Sequence, residues 1–258
     1  MGFAGMLIVD REHSGPIESE WASSPRLRDL PPLGELHVRR LVVVTPHPDD
    51  EVLGAGGLIQ KALDEGVLIE VIAVTDGESS HPHSGVAATL DLPDIRARES
   101  ETALRRLGWD RPAITRLGLP DGGVADHRAQ LDTALKDILL PDDLCVAPWR
   151  LDGHPDHDAC GESAMNAAGS VGAKSLSFLV WTWHWADPFG LDVPWDSCRR
   201  LEMSRRARAR KRWATLAFES QISALGPDEA DAAILPTNVL RRFWRSFEVF
   251  VEESRGDA

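Results

Sequence analysis

Apolar residues along this chain follow two alternating rhythms. Residues 41–45, 67–75 and 144–147 are short, nearly unbroken apolar runs rich in Val, Ile and Leu, and 114–117 is a shorter strand-like stretch. Such runs predict strands buried on both faces, as in a parallel sheet. The stretches between them carry helical spacing. They predict helices over 50–65, closed by Gly66, over 93–107, closed by Gly108, and over 126–140, with a small-residue helix following His154. Alternation of this kind predicts an α/β fold: a Rossmann-like, mostly parallel sheet flanked by helices, with right-handed crossovers. After Gly172 the rhythm changes. Residues 176–185 read as a strand, a proline-rich loop follows, and a long basic helix is expected over 205–225, then a late strand, possible as a sheet edge, over 247–251. The expected organisation is a proline-, serine- and charge-rich lead-in (1–40) and one domain (41–258). That domain has a core of 41–172 and an extension, 173–258, forming a lid or substrate wall.

Charge narrows the partners. The 258 residues include 28 basic and 41 acidic side chains, net −13, which argues against nucleic acid. Three widely spaced cysteines without a CxxC pair read as reduced thiols. Residues 1–10 lack a basic leader and are too short to span a bilayer, so the expectation is a soluble cytoplasmic protein. Nine Trp stand against no Tyr, and Trp181, Trp183 and Trp185 alternate with period two. On a strand all three would share one side, as core or as a platform for a sugar ring. The basic run within 205–212 reads as a solvated helix face, and His81 and His83 as part of a polar loop at the rim of a site.

The candidate chemistry begins where the first strand ends, at Pro46-His47-Pro48-Asp49-Asp50-Glu51. Parallel strands point the residues after their carboxyl ends into the crevice where α/β sheets bind ligands. Pro48 holds His47 in extended backbone. Asp49 and Asp50 point in different directions: one can ligate a cation while the other faces a water as general base, or both can merely cap the next helix. Three carboxylates beside a histidine repel one another, and a cation relieves that. His154-Pro155-Asp156-His157 puts two imidazoles three residues apart on one helical turn, again after a buried strand. The two clusters should meet at one sheet edge, and three ligands with a vacant position describe a catalytic zinc site. Gly54-Ala55-Gly56-Gly57 follows a strand too, but Ile59 stands where a dinucleotide fingerprint needs glycine.

The segments PHPDDE, VTDGE and HPDH resemble the PIG-L (LmbE-like) family of zinc-dependent N-acetylglucosamine deacetylases, over about residues 41–161, and KRWATLAFESQ and SFEVF extend the likeness. The resemblance implies that His47, Asp50 and His157 bind Zn²⁺, although Fe²⁺ or another divalent ion also suits such ligands. It implies Asp49 as general base, His154 as oxyanion stabiliser or acid, and Asp156 as the group orienting a histidine. Arg96, Glu99 and Asp121 would contact substrate. The implied substrate is a small N-acetylated amino sugar or its conjugate, cleaved to acetate and free amine. Two alternatives stand beside it: an amidase for a larger acyl or thiol conjugate, and a non-catalytic sugar-binding protein.

Overall fold

A computed structural model describes residues 15–252; the expectations placed on residues 1–10 lie outside them. Seven strands form one mixed sheet: β1 (Arg40–Thr45), β2 (Leu68–Ala73), β3 (Ile114–Arg116), β4 (Asp143–Pro148), β5 (Lys174–Phe178), β6 (Cys198–Glu202) and β7 (Phe247–Val251). Their order is β3-β2-β1-β4-β5-β7-β6. The first five are parallel, with Val43 beside Val71 and Val146, so their carboxyl ends share one edge. β7 runs antiparallel to both β5 and β6.

Alternation along β1 explains the two layers of core. Leu41 and Val43 face helices Gly56–Glu65 and Leu92–Leu107, packing on Leu58, Ile59, Leu104 and Leu107. Val42 and Val44 face the opposite way, onto Leu131, Leu135, Cys160 and Ala164 of helices Arg128–Ile138 and Pro155–Val171. Gly66, Gly108 and Gly172 end three of the helices in left-handed backbone, as their places in the sequence suggest.

Four expectations are corrected. The helix over 50–65 is two, Asp50–Leu53 and Gly56–Glu65, because the backbone leaves helical angles at Ala55 (φ −131°, ψ 12°), beside Gly54, where a Cβ would stand 2.1 Å from the Phe178 ring. The strand over 176–185 ends at Phe178, and a short helix, Thr182–Trp185, follows. The chain turns there because the backbone N–H groups of Val180, Trp181 and Thr182 all donate to the buried Asp152 carboxylate. The basic helix stops at Thr215, with Glu219–Ile222 separate. Finally, β7 is interior to the sheet and the edge is β6, whose charged CRRLE sequence hid it. The lead-in is partly helical, at Glu18–Ser23 and Pro25–Arg28, and fully buried Trp21 donates from Nε1 to the Trp183 carbonyl.

Candidate metal centre and active-site cavity

The loops after β1 and β4 meet, as the parallel topology requires. Asp50 lies between the two histidines of interest. Its Oδ2 is 3.5 Å from His47 Nδ1 and 3.2 Å from His157 Nε2, and it accepts the His47 backbone N–H at 3.0 Å. Each histidine is held from its other nitrogen. His157 Nδ1 lies 2.8 Å from Asp152 Oδ2, and His47 Nε2 lies 3.2 Å from both Asp121 Oδ1 and Asp156 Oδ2. With an ion bound, protons on the nitrogens facing Asp152, Asp121 and Asp156 would leave His47 Nδ1 and His157 Nε2 as lone pairs beside Asp50; without one, Asp50 favours a proton there instead.

That donor set fits a divalent cation. His157 Nε2 is buried and meets Asp50 Oδ2 at 3.2 Å without good hydrogen-bond geometry, so in the neutral ring a lone pair faces a carboxylate, a contact that an ion between them would relieve. Histidine ligands braced by carboxylates are the usual outer support of such ions. Burial opposes charging His157, yet the Asp50 and Asp152 carboxylates push it up to about 9. His154 brings a ring nitrogen within 4.8 Å of nitrogens on His47 and His157. It enters differently. Burial, with His157 and His47 beside it, lowers its pKa to about 3, and its Nδ1 accepts the Asp156 backbone N–H at 3.2 Å. A neutral ring with that acceptor carries its proton on Nε2, so it offers a hydrogen bond and no charge.

Asp49 is buried and lines the same cavity. Burial and the neighbouring Asp50 and Glu51 carboxylates raise its pKa well above the usual carboxylate range. Its backbone sits at φ 129°, ψ −30°, a region L residues rarely adopt. The peptide group before it is bracketed. Gln221 Nε2 donates to the Pro48 carbonyl, and the Asp49 N–H donates to Glu51 Oε2 at 3.0 Å. Gln221 is in turn fixed by its neighbour: Glu99 accepts from the Ser220 N–H and Oγ, both at 2.7 Å. Glu99 therefore acts as a brace and is not among the residues lining the cavity.

Arg96 does line the cavity. Its Nη1 donates to the Gly77 carbonyl at 2.6 Å, while Nε and Nη2, both buried, have no partner among the described residues. Asp121 serves His47 and also accepts the Ser79 N–H at 2.8 Å. Asp156, fully buried, takes the N–H groups of Gly122 and Val124 at 2.7 and 3.1 Å, tying the loop after β3 to the second histidine cluster. Among the described residues the side chains close enough together to share an ion form two groups, His47 with His154 and His157, and His47 with Asp121 and Asp156; His81 and His83 belong to neither.

The three tryptophans do not share a face. Trp181 stacks on His154 with ring centroids 5.3 Å apart, Trp183 is buried edge-on against Trp21, and Trp185 donates to the Asp152 carbonyl at 2.7 Å. Lys211, in the basic run, points inward, where Nζ donates to Glu248 at 2.6 Å and to the Leu53 carbonyl at 2.8 Å. Glu248 also accepts the Gly57 and Leu58 N–H groups. Sequence reasoning missed Asp152, Gln221 and this pair, and counted Glu51 among the carboxylates without seeing its hold on the Asp49 N–H. Asp152 stands five residues before His157 across a loop, a spacing with no regular geometry to betray it.

A Rossmann-like sheet with a His/Asp cluster at its carboxyl edge defines an α/β protein with a site fit for a metal. Residues 42–168 match the family described as PIG-L, GlcNAc-PI de-N-acetylase, and the chain carries a PIG-L (LmbE-like) family domain. It is 27% identical over 157 residues to a diacetylchitobiose deacetylase of Thermococcus kodakarensis, covering 54% of this chain and 53% of that one. It is 33% identical over 170 residues to the 1D-myo-inositol 2-acetamido-2-deoxy-alpha-D-glucopyranoside deacetylase of Mycobacteroides abscessus, covering 56% of this chain and 60% of that one. The chain thus spans little more than half the length of these relatives. Among solved structures, a conserved protein from Thermus thermophilus is 26% identical, with a TM-score of 0.56, covering 84% of this chain and 95% of that one. Among the described residues no helix is long and apolar enough to cross a membrane.

Proposed function

We propose that this protein is a metal-dependent hydrolase that removes the N-acetyl group from an N-acetylglucosamine-type amino sugar or its conjugate. The observation that carries the reading is the convergence of His47 Nδ1 and His157 Nε2 on Asp50, with Asp49 on the wall of the same cavity. The deacetylase names of the relatives support it. His47, Asp50 and His157 would hold the ion, with zinc as the expected metal and Fe²⁺ an alternative. When bound it supplies Lewis-acid polarisation and lowers the pKa of a water from 15.7 to about 7.

The chain's own groups do the rest. Asp49 takes a proton from the attacking water. The water oxygen joins the acyl carbon, the C–N bond breaks, and the proton passes to the departing nitrogen, giving acetate and a free amine. As charge develops on the carbonyl oxygen, His154 donates from Nε2, a donor of the kind worth ~10²–10³ in rate. Asp156 and Asp121 hold the His47 ring, and Arg96 offers two buried N–H groups to sugar oxygens. A sugar-binding protein without catalysis would have no use for a carboxylate held in rare backbone at the site. Three buried free cysteines, Cys145, Cys160 and Cys198, suit a reducing compartment such as the cytoplasm.

Zinc-loaded protein is to be screened against N-acetylglucosamine conjugates for acetate and amine release. Asp49→Ala is expected to keep its metal by elemental analysis while losing ~10²–10⁴ in rate. Failure of every acetylated sugar with zinc bound would overturn the reading.

A further inference from the structure

The cavity that holds the site has a volume of about 390 Å³, and its two sides differ in chemistry. Strand order explains the division. The histidine clusters follow β1 and β4, in the middle of the sheet. On the β2–β3 side the wall is polar: Ser79 and Ser80 follow β2, Arg96 stands on the next helix, and Asp121 follows β3. On the β5–β7 side it is mostly apolar, with His184 and Gln221 as its polar members. Val180 and Trp181 follow β5, while Leu235, Val239 and Phe243 come from the segment leading into β7. Because β7 is antiparallel to β5, that segment arrives at the edge where the parallel strands end. The polar groups and the metal-type cluster fall within the residues matched to the family, 42–168, and the apolar wall falls outside them.

An amide has two ends. If the sugar hydroxyls take the polar side, what lies across the scissile carbon is the acyl group; an aglycone would extend from the sugar on the sugar's own side. Val180, Val239 and Phe243 are buried in the wall and Trp181 and Leu235 are half-buried, so an acetyl methyl alone would leave the open faces of Trp181 and Leu235 in water, at a cost proportional to their area. We propose that this cavity is built for N-acyl amino sugars whose acyl group is longer than acetyl, with the chain lying on Val180, Trp181, Leu235, Val239 and Phe243. This rests on the hydrolase reading above and extends the acyl groups it accepts.

The test has two readouts. The first is kcat/KM of the zinc-loaded protein on N-acetyl-, N-butyryl- and N-hexanoyl-glucosamine, and on N-acetylglucosamine bearing a hexyl aglycone. Each methylene buried is worth at most about fourfold, so hexanoyl is expected to exceed acetyl by at least about tenfold. Leu235→Asp and Phe243→Ser, two variants in case one does not fold, are expected to bring that ratio towards one. A flat or falling acyl series with acetyl turned over, or a gain confined to the hexyl aglycone, would overturn the proposal. The second readout is calorimetric affinity of the zinc-loaded protein for hexanoate and for acetate. If no sugar amide is cleaved, the hydrolase reading fails by itself. The pocket is then decided here: hexanoate binding at least about tenfold tighter supports the apolar side, and equal affinities overturn it.

Discussion

Asp152 contributes to the site without lining its cavity. Its carboxylate gathers five hydrogen-bond donors or donor rings: His157 Nδ1, the N–H groups of Val180, Trp181 and Thr182, and the Thr182 hydroxyl at 2.6 Å. It fixes the tautomer of one metal-facing histidine and turns the chain after β5. Asp152→Asn keeps the shape but can no longer accept on both oxygens. Metal affinity should fall ~10–100-fold, measured by competition with a chromogenic chelator. The histidine–carboxylate cluster was largely legible in the sequence, because His47, Asp49, Asp50, His154, Asp156 and His157 are packed into two short motifs. Their supports were not. Glu51 reads as one more acid in a helix start, and Gln221 lies 173 residues from the carbonyl it holds.

Helices and strands transmit position to that site. Helix Leu92–Leu107 holds Ser220 through Glu99, and Ser220 carries its neighbour Gln221 onto the Pro48 carbonyl. Gln221→Ala should let the Pro48–Asp49 peptide rotate away from its bracketed position. Turnover is expected to drop by up to ~10²-fold with metal content unchanged, compared by steady-state kinetics and elemental analysis. The buried Lys211–Glu248 pair, 2.6 Å apart, ties helix Arg205–Thr215 to β7 and to the start of helix Gly56–Glu65. Lys211→Met leaves a carboxylate buried without its partner and should cost about 3–5 kcal/mol, read by urea denaturation. Hydrophobic runs placed β1, β2 and β4, which are largely apolar, whereas β3, Ile-Thr-Arg, is half-buried and carries no such run. They failed at β6 and around 176–185, where charged residues and a carboxylate-anchored turn decide the path.

At the scale of the whole molecule, an ion between His47, Asp50 and His157 would link the loops after β1 and β4, which are far apart in sequence. Folding and metal binding are then coupled. With zinc at a hundred times its Kd the fold should gain about 2.7 kcal/mol, and thermal denaturation with and without EDTA measures the difference. Chelation should also abolish turnover, and added zinc restore it. The sheet order carries a last consequence. The groups assigned to bond cleavage sit on loops 46–51 and 152–157, whereas the selecting wall arrives with residues 180–181 and 234–243, after every catalytic motif has been laid down. Reaction and appetite are thus written in separate stretches of chain. Grafting a different approach to the seventh strand should change the diet of this scaffold while its cutting edge stays as it is.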